Sequence, residues 1–180
     1  MTGSLAAITP VAIVACALAQ GCSRPAAPAG FERVQINDRS FTLEVVADDA
    51  SRTLGLGGRT AIPADGGMLF SFPDSQIRQF VMRDCLVDID IIFLDAAGVI
   101  TAMHHMPVEP PIQPDETRNT LDALGRVVRL GSYEQRLKRY SSRFNARYAI
   151  ELQGGMLENL DLQPGQRIEL PTERLAEITR

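Results

Sequence analysis

The sequence predicts a mainly β domain, an antiparallel barrel or sandwich with a few short helices. Three observations lead there. Short runs of β-branched and aromatic residues recur between turn signals spaced about 8 to 12 residues apart. One stretch alone, beyond Leu130, carries a helical repeat of apolar residues. No internal repeat is present, and 180 residues suit one domain with a core of its own.

The first 22 residues read as an address. Leu5 to Leu18 is apolar but short for a bilayer span, and small residues and a cysteine follow it. LAQGC, ending at Cys22, resembles a bacterial lipoprotein signal, in which the cysteine is acylated and becomes the new N-terminus. The alternatives are an ordinary cleaved signal or an uncleaved anchor. A lipidated Cys22 followed by Ser23 implies the periplasmic side of an envelope membrane, the outer membrane in a Gram-negative cell. Residues 23–30 are a Pro/Ala spacer, 31–171 the domain and 172–180 a tail. Cys16 would leave with the signal, so Cys85 would be the one free thiol and no internal disulfide could form.

Val34–Ile36 and Phe41–Val46 flank the polar NDRS and read as a hairpin. Asp48, Asp49 or Ser51 can cap a short helix that Gly57-Gly58 ends. Gly66-Gly67 marks a backbone that needs positive φ. Met68–Phe72 and Gln79–Arg83 read as two strands parted by Pro73-Asp74. Asp88–Leu94 is so continuously apolar that it suits a strand covered on both faces. Ala96-Ala97-Gly98 turns the chain back into Val99–Met106, and PVEPPIQPDE is an irregular loop. Leu130, Tyr133, Leu137, Tyr140 and Phe144 then form one stripe of an amphipathic helix over 132–143, with Arg136, Arg139 and Arg143 beside it. Arg147–Leu152 is a strand, and a helical turn, a Pro-Gly turn and a last strand close the domain.

Four blocks resemble the DUF192 family, small and mostly bacterial and archaeal proteins of unestablished function. They are TLGLGGR from Thr53, DGGMLFSFP from Asp65, FVMRDCLVDIDIIFLDAAGVI from Phe80 and YAIELQGGMLENLDLQPGQRI from Tyr148. The resemblance implies a mainly β fold with a strongly curved sheet. Arg59, Met82 and Asp90 match the family's residue types. At Phe80, Arg83, Asp84, Cys85 and Asp88 the family usually has Trp, Lys, Asn, Thr and Pro.

The net charge of -4 argues against a nucleic-acid binder, although seven basic residues face one acid between Arg126 and Arg147. That basic stretch reads as a solvated face or as a surface for anionic headgroups or wall polymers. Asp90 sits inside the most apolar strand, where an unpaired carboxylate is costly. It reads as an ion pair or cap, with Arg59 or Arg83 as partner, or as an acid/base group in a cleft. His104 and His105 are adjacent, so on a regular strand they point opposite ways and cannot share an ion. Neither they nor Cys85 make a recognisable metal or nucleophile constellation, and no cofactor motif is present. Phe70, Phe72, Phe80 and Met82 read as core or as the wall of a groove.

The candidate ligand contacts are therefore Arg59, Phe80, Met82, Arg83 and Asp90. The expected function is a non-catalytic, envelope-tethered β domain that meets the membrane through its lipid anchor and binds a small molecule or glycan. A hydrolase of envelope polymers, using Asp90 with Asp84 or Glu109, is one alternative. A partner in an envelope protein complex is another.

Overall fold

A computed structural model describes residues 27–180. The signal reading of residues 1–22, Cys22 and the first part of the spacer lie outside the described residues.

Phe31–Ile36 (β1) and Arg39–Val46 (β2) form the expected hairpin around Asn37-Asp38, with Ile36 opposite Arg39. Asn37 takes a positive φ of 51° there, as a tight hairpin turn requires. Asp49–Leu54 (α1) is capped by the Asp48 carboxylate, which accepts from Ser51 N. The helix ends at Gly55, earlier than the Gly57-Gly58 pair suggests, because Gly55 itself takes φ 53°.

Gly66–Phe80 (β3) is one long strand, not two. Pro73 interrupts the ladder but not the direction of the chain. Ser71 faces Tyr148 and Gln76 faces Ala146, so the residues between them bulge outward, where proline's missing N–H costs nothing. Ile89–Leu94 (β4) is wholly buried, and Ile100–Met106 (β5) returns after a turn whose Asp95 carboxylate accepts from Ala97 N and Val99 N. Thr120–Leu121 (β6) and Val127–Arg129 (β7) make a small separate hairpin.

The helix expected over 132–143 is cut short and its last part is strand. Only Ser132–Arg136 (α2) is helical, and Tyr140–Gln153 (β8) runs as strand to the end of RYAIEL. Tyr133, Leu137 and Tyr140 are buried as the stripe predicts, but Leu130 and Phe144 are exposed. The helical period fails because β3 offers Tyr140–Ala146 a backbone ladder. A bulge absorbs the mismatch: Arg143 takes φ 61°, and the Ser142 hydroxyl accepts from Arg78 N and donates to the Phe144 carbonyl.

Leu157–Leu160 (α3) and Thr172–Ile178 (α4) complete the chain. In place of a last strand there is a single bridge, Val99 to Arg167. The stretch 172–180 is folded: Leu175 is buried, Arg174 pairs with Glu32, and Arg180 N donates to the Ala47 carbonyl.

The main sheet has the order β1-β2-β3-β8-β4-β5. It is mainly antiparallel, but β2 and β3 run parallel. It is an open mixed sheet and does not close into a barrel. Each face carries its own core. On one face Phe41, Leu43, Leu69, Ile92 and Ile150 meet Leu160, Ile168 and Leu175 of the C-terminal segment. On the other, Met68, Phe70, Ile91 and Phe93 meet Leu56, Ile62 and Met82 of the connecting segments. No helix among the described residues is long and apolar enough to cross a membrane.

Candidate functional site

Two acidic residues lie buried in the adjacent inner strands β4 and β8, on opposite faces of the sheet. Asp90 has Ile92 and Leu94 on its face and is fully buried. Its partners are neither Arg59 nor Arg83. Oδ1 lies 2.7 Å from His105 Nδ1, and Oδ2 accepts from Leu157 N at 2.7 Å. The β4–β5 register puts His105 directly opposite Asp90, which no spacing in the sequence reveals. The carboxylate thus fastens the entry of α3 to the sheet. Arg59 pairs instead with Glu44 at 2.5 Å, and Arg83 donates to the Thr53 carbonyl. His105 is half-exposed, with Asp88 Oδ2 3.8 Å from its Nε2.

The other two carboxylates weighed for catalysis have partners of their own. Arg118 grips Asp84 with two N–H groups at 2.8 and 2.9 Å and holds its carboxyl below the usual range. Glu109 accepts from Lys138 N. His104 faces away from His105, its ring edge-on to Phe93 and its Nε2 2.8 Å from the Ser141 carbonyl. No cluster of three or more His, Cys, Asp or Glu side chains among the described residues could hold a metal ion.

The second buried acid is Glu151 on β8, between Met68 of β3 and Ile91 of β4. It points to the face opposite Asp90. Its side chain makes no hydrogen bond among the described residues, and Oε2 is fully buried. Burial alone pushes the carboxyl up to about 8, because a charge there would have no partner. A protonated Glu151 still brings an O–H donor and a carbonyl acceptor with nothing to bond.

Glu151 forms the floor of a cleft of about 780 Å³. The far wall is α1 and the turn after it, the near wall is β3, and the hairpin of β6 and β7 reaches the mouth with Gly125 and Val127. Gly55 suits the turn through its positive φ of 53°, and α1 lies at ordinary contact distance from the cleft floor. A Cβ there would lie 3.5 Å from the Phe70 ring and 3.8 Å from Glu151 Oε2. Phe70, Phe72 and Phe80 line the near wall, with Phe80 edge-on to both of the others. Arg52 and Arg78 sit over the Phe72 ring and are tied to Asp49 and Asp74. Cys85 also faces the cleft, and burial, then Glu151 and Asp84, push its thiol up to about 12, so it is no nucleophile near neutral pH.

Of the five residues singled out from the sequence, Phe80 and Arg83 reach this cleft. Met82 is buried in the core beside it, Arg59 pairs with Glu44, and Asp90 belongs to the opposite face. Glu151 was missed, although the signal was present: an acid between Ile150 and Leu152 in an apolar strand raises the same question as Asp90.

The molecule is thus an open β-sheet domain with a cleft over a buried carboxyl group that has no hydrogen-bond partner among the described residues. It belongs to the DUF192 family, whose model, described as uncharacterized ACR, matches residues 32–170. Two solved structures share the fold. One, named as a putative transcription regulator from Sinorhizobium meliloti 1021, is 24% identical, with 76% of this chain and 89% of that one covered and a TM-score of 0.56. The other, a protein of unknown function from Novosphingobium aromaticivorans DSM 12444, is 17% identical, with 83% and 94% covered and a TM-score of 0.56. No curated protein matches the chain.

Proposed function

We propose that this protein is a non-catalytic binding domain, tethered in the cell envelope through an acylated Cys22, that takes a small molecule or glycan in the cleft over Glu151. The observation that carries this reading is the buried carboxyl of Glu151, which finds no hydrogen-bond partner among the described residues. Buried polar groups in folded proteins are almost always satisfied, and an exception at the floor of a cleft suits a ligand. An aromatic wall of Phe70, Phe72 and Phe80 set among polar and charged side chains fits such a role. Asp84 and Glu109, the acids a hydrolase would use with Asp90, are held by Arg118 and by Lys138 N, which favours binding over a two-acid hydrolysis.

A thermal-shift screen of the full chain against sugars, wall fragments and small amphiphiles tests it. Ligands that raise the melting temperature should lose their effect in Glu151→Ala and Leu54→Asp, which alter the floor and the mouth. Ligands that act equally on all three proteins would place binding elsewhere.

A further inference from the structure

The cleft's charge and its mouth together narrow what fits. Five charged side chains of the surrounding elements line it: Asp49 and Arg52 on α1, Asp74 and Arg78 on β3, and Arg83 after β3. Three arginines against two aspartates leave one positive charge in excess. Arg52 and Arg78 are engaged by the two aspartates and by backbone carbonyls. Arg83 has only one paired N–H among the described residues, to Thr53. Asp84, next in sequence, is turned to Arg118. Cys85 contributes a neutral thiol, and His104 stands beyond Ile91, away from the floor.

The mouth carries apolar side chains among polar ones. Leu54, Ile77 and Val127 line it and are 70%, 58% and 53% exposed. Single exposed apolar residues are common, but three at one opening above three phenylalanines give an apolar body something to pack on between the polar groups.

We infer that the cleft binds a carboxylate carried on an apolar body, an acyl or aryl acid, with Arg83 pairing its charge and the Glu151 O–H donating to it. The inference rests on the cleft being a binding site and adds the class of ligand. An ammonium group is disfavoured, since it would enter against the excess positive charge. A neutral alcohol would leave Arg83 unused. A carboxylate, unlike either, can use both a guanidinium and an acid O–H, and an acid–carboxylate hydrogen bond is among the strong ones.

The proton makes the inference testable. The complex needs Glu151 protonated, so affinity should be flat below about pH 8 and fall about tenfold per unit above it. Decanoate, decanol and decylamine hydrochloride are titrated calorimetrically into the full chain at pH 6.5 and 9, each in two buffers of different ionisation enthalpy. Decanoate should bind best and take up close to one proton at pH 9. Glu151→Gln, whose amide N–H can replace the O–H, should bind decanoate without the pH dependence, and Arg83→Gln should weaken it at least tenfold. Tighter binding of decylamine with proton release, or equal binding of decanol, would overturn the carboxylate class yet leave the cleft as a binding site. Failure of all three would overturn the inference too, and the wider ligand screen would then decide on the cleft itself.

Discussion

Asp90 and Glu151 stand one step apart in register across the β4–β8 ladder: Asp90 faces Leu152, and Glu151 faces Ile91. Successive side chains on a strand alternate, so that single step sends the two acids to opposite faces. Among the described residues one finds two partners and the other none. The same residue class in one ladder therefore holds structure together on one side and stays unsatisfied on the other.

For Glu151 the consequence is a pH-dependent stability. Its carboxyl titrates at about 8 when folded, against an ordinary 4.5. Between those values the folded protein keeps a proton that the unfolded chain has released, so stability falls as pH rises. The stabilisation is complete below about 4.5 and is lost as pH climbs through 8, by up to about 1.4 kcal/mol per unit and on the order of 5 kcal/mol in all. Urea unfolding at pH 5, 6.5 and 8.5 should show the gap between wild type and Glu151→Gln closing or reversing over this window. Parallel curves would mean that Glu151 is already ionised in the fold.

Asp90→Ala should destabilise by about 2–4 kcal/mol, because Leu157 N–H is left without an acceptor and His105 loses its anchor. His105→Ala should cost less, since Asp90 keeps the Leu157 bond. Equal losses in chemical denaturation would show that the histidine contact carries the site.

Gly67 has φ 146°, and a Cβ there would lie 2.2 Å from the Glu151 carbonyl oxygen and 3.0 Å from Leu152. The obstacle is backbone, which cannot step aside. Gly67→Ala should destabilise by about 3 kcal/mol or more, or prevent folding. A melting temperature close to wild type would refute that packing.

Leu137 is buried and Arg139 exposed, although neither lies in a helix. Leu137→Ala should cost about 2–5 kcal/mol and Arg139→Ala under about 1 kcal/mol. Similar changes in the two unfolding midpoints would contradict the burial.

Cys85 should resist alkylation. With its thiol pushed up to about 12, iodoacetamide at pH 7.5 should label it far more slowly than it labels the same chain unfolded in urea. Equal rates by mass spectrometry would show an open, ionisable thiol.

Much of this architecture was legible in the residues. The β4 run, apolar but for Asp90, called for cover on both faces, and it has it. The paired runs around Asn37-Asp38 and around Gly98 declared their hairpins. What stayed hidden depends on partners distant in sequence. Tyr133, Leu137 and Tyr140 satisfy a helical period, and only the presence of β3 turns the last of them into strand. Pro73 looked like a stop because a bulge needs a neighbouring strand to be recognised. The burial of Asp90 was readable from Ile92 and Leu94, whereas the choice of His105 over an arginine follows from the β4–β5 pairing. The cleft was half visible, through Phe80 and Arg83, and its floor required knowing which face of β8 lies beneath α1.

The position of β8 between β3 and β4 has a consequence for how the chain is made. Its neighbours in space are synthesised well before it: β3 ends at Phe80, and β8 begins only after the whole of 81–139. Until it arrives, the growing chain holds two half-sheets, β1-β2-β3 and β4-β5, each with a bare edge waiting for the same strand. Bare edges invite pairing with other chains, and closure over so long a loop is slow. Polypeptides that stop short of residue 140 should therefore accumulate as insoluble material. Assembly of this domain is in effect the insertion of a late-born keystone between two parts that cannot finish without it.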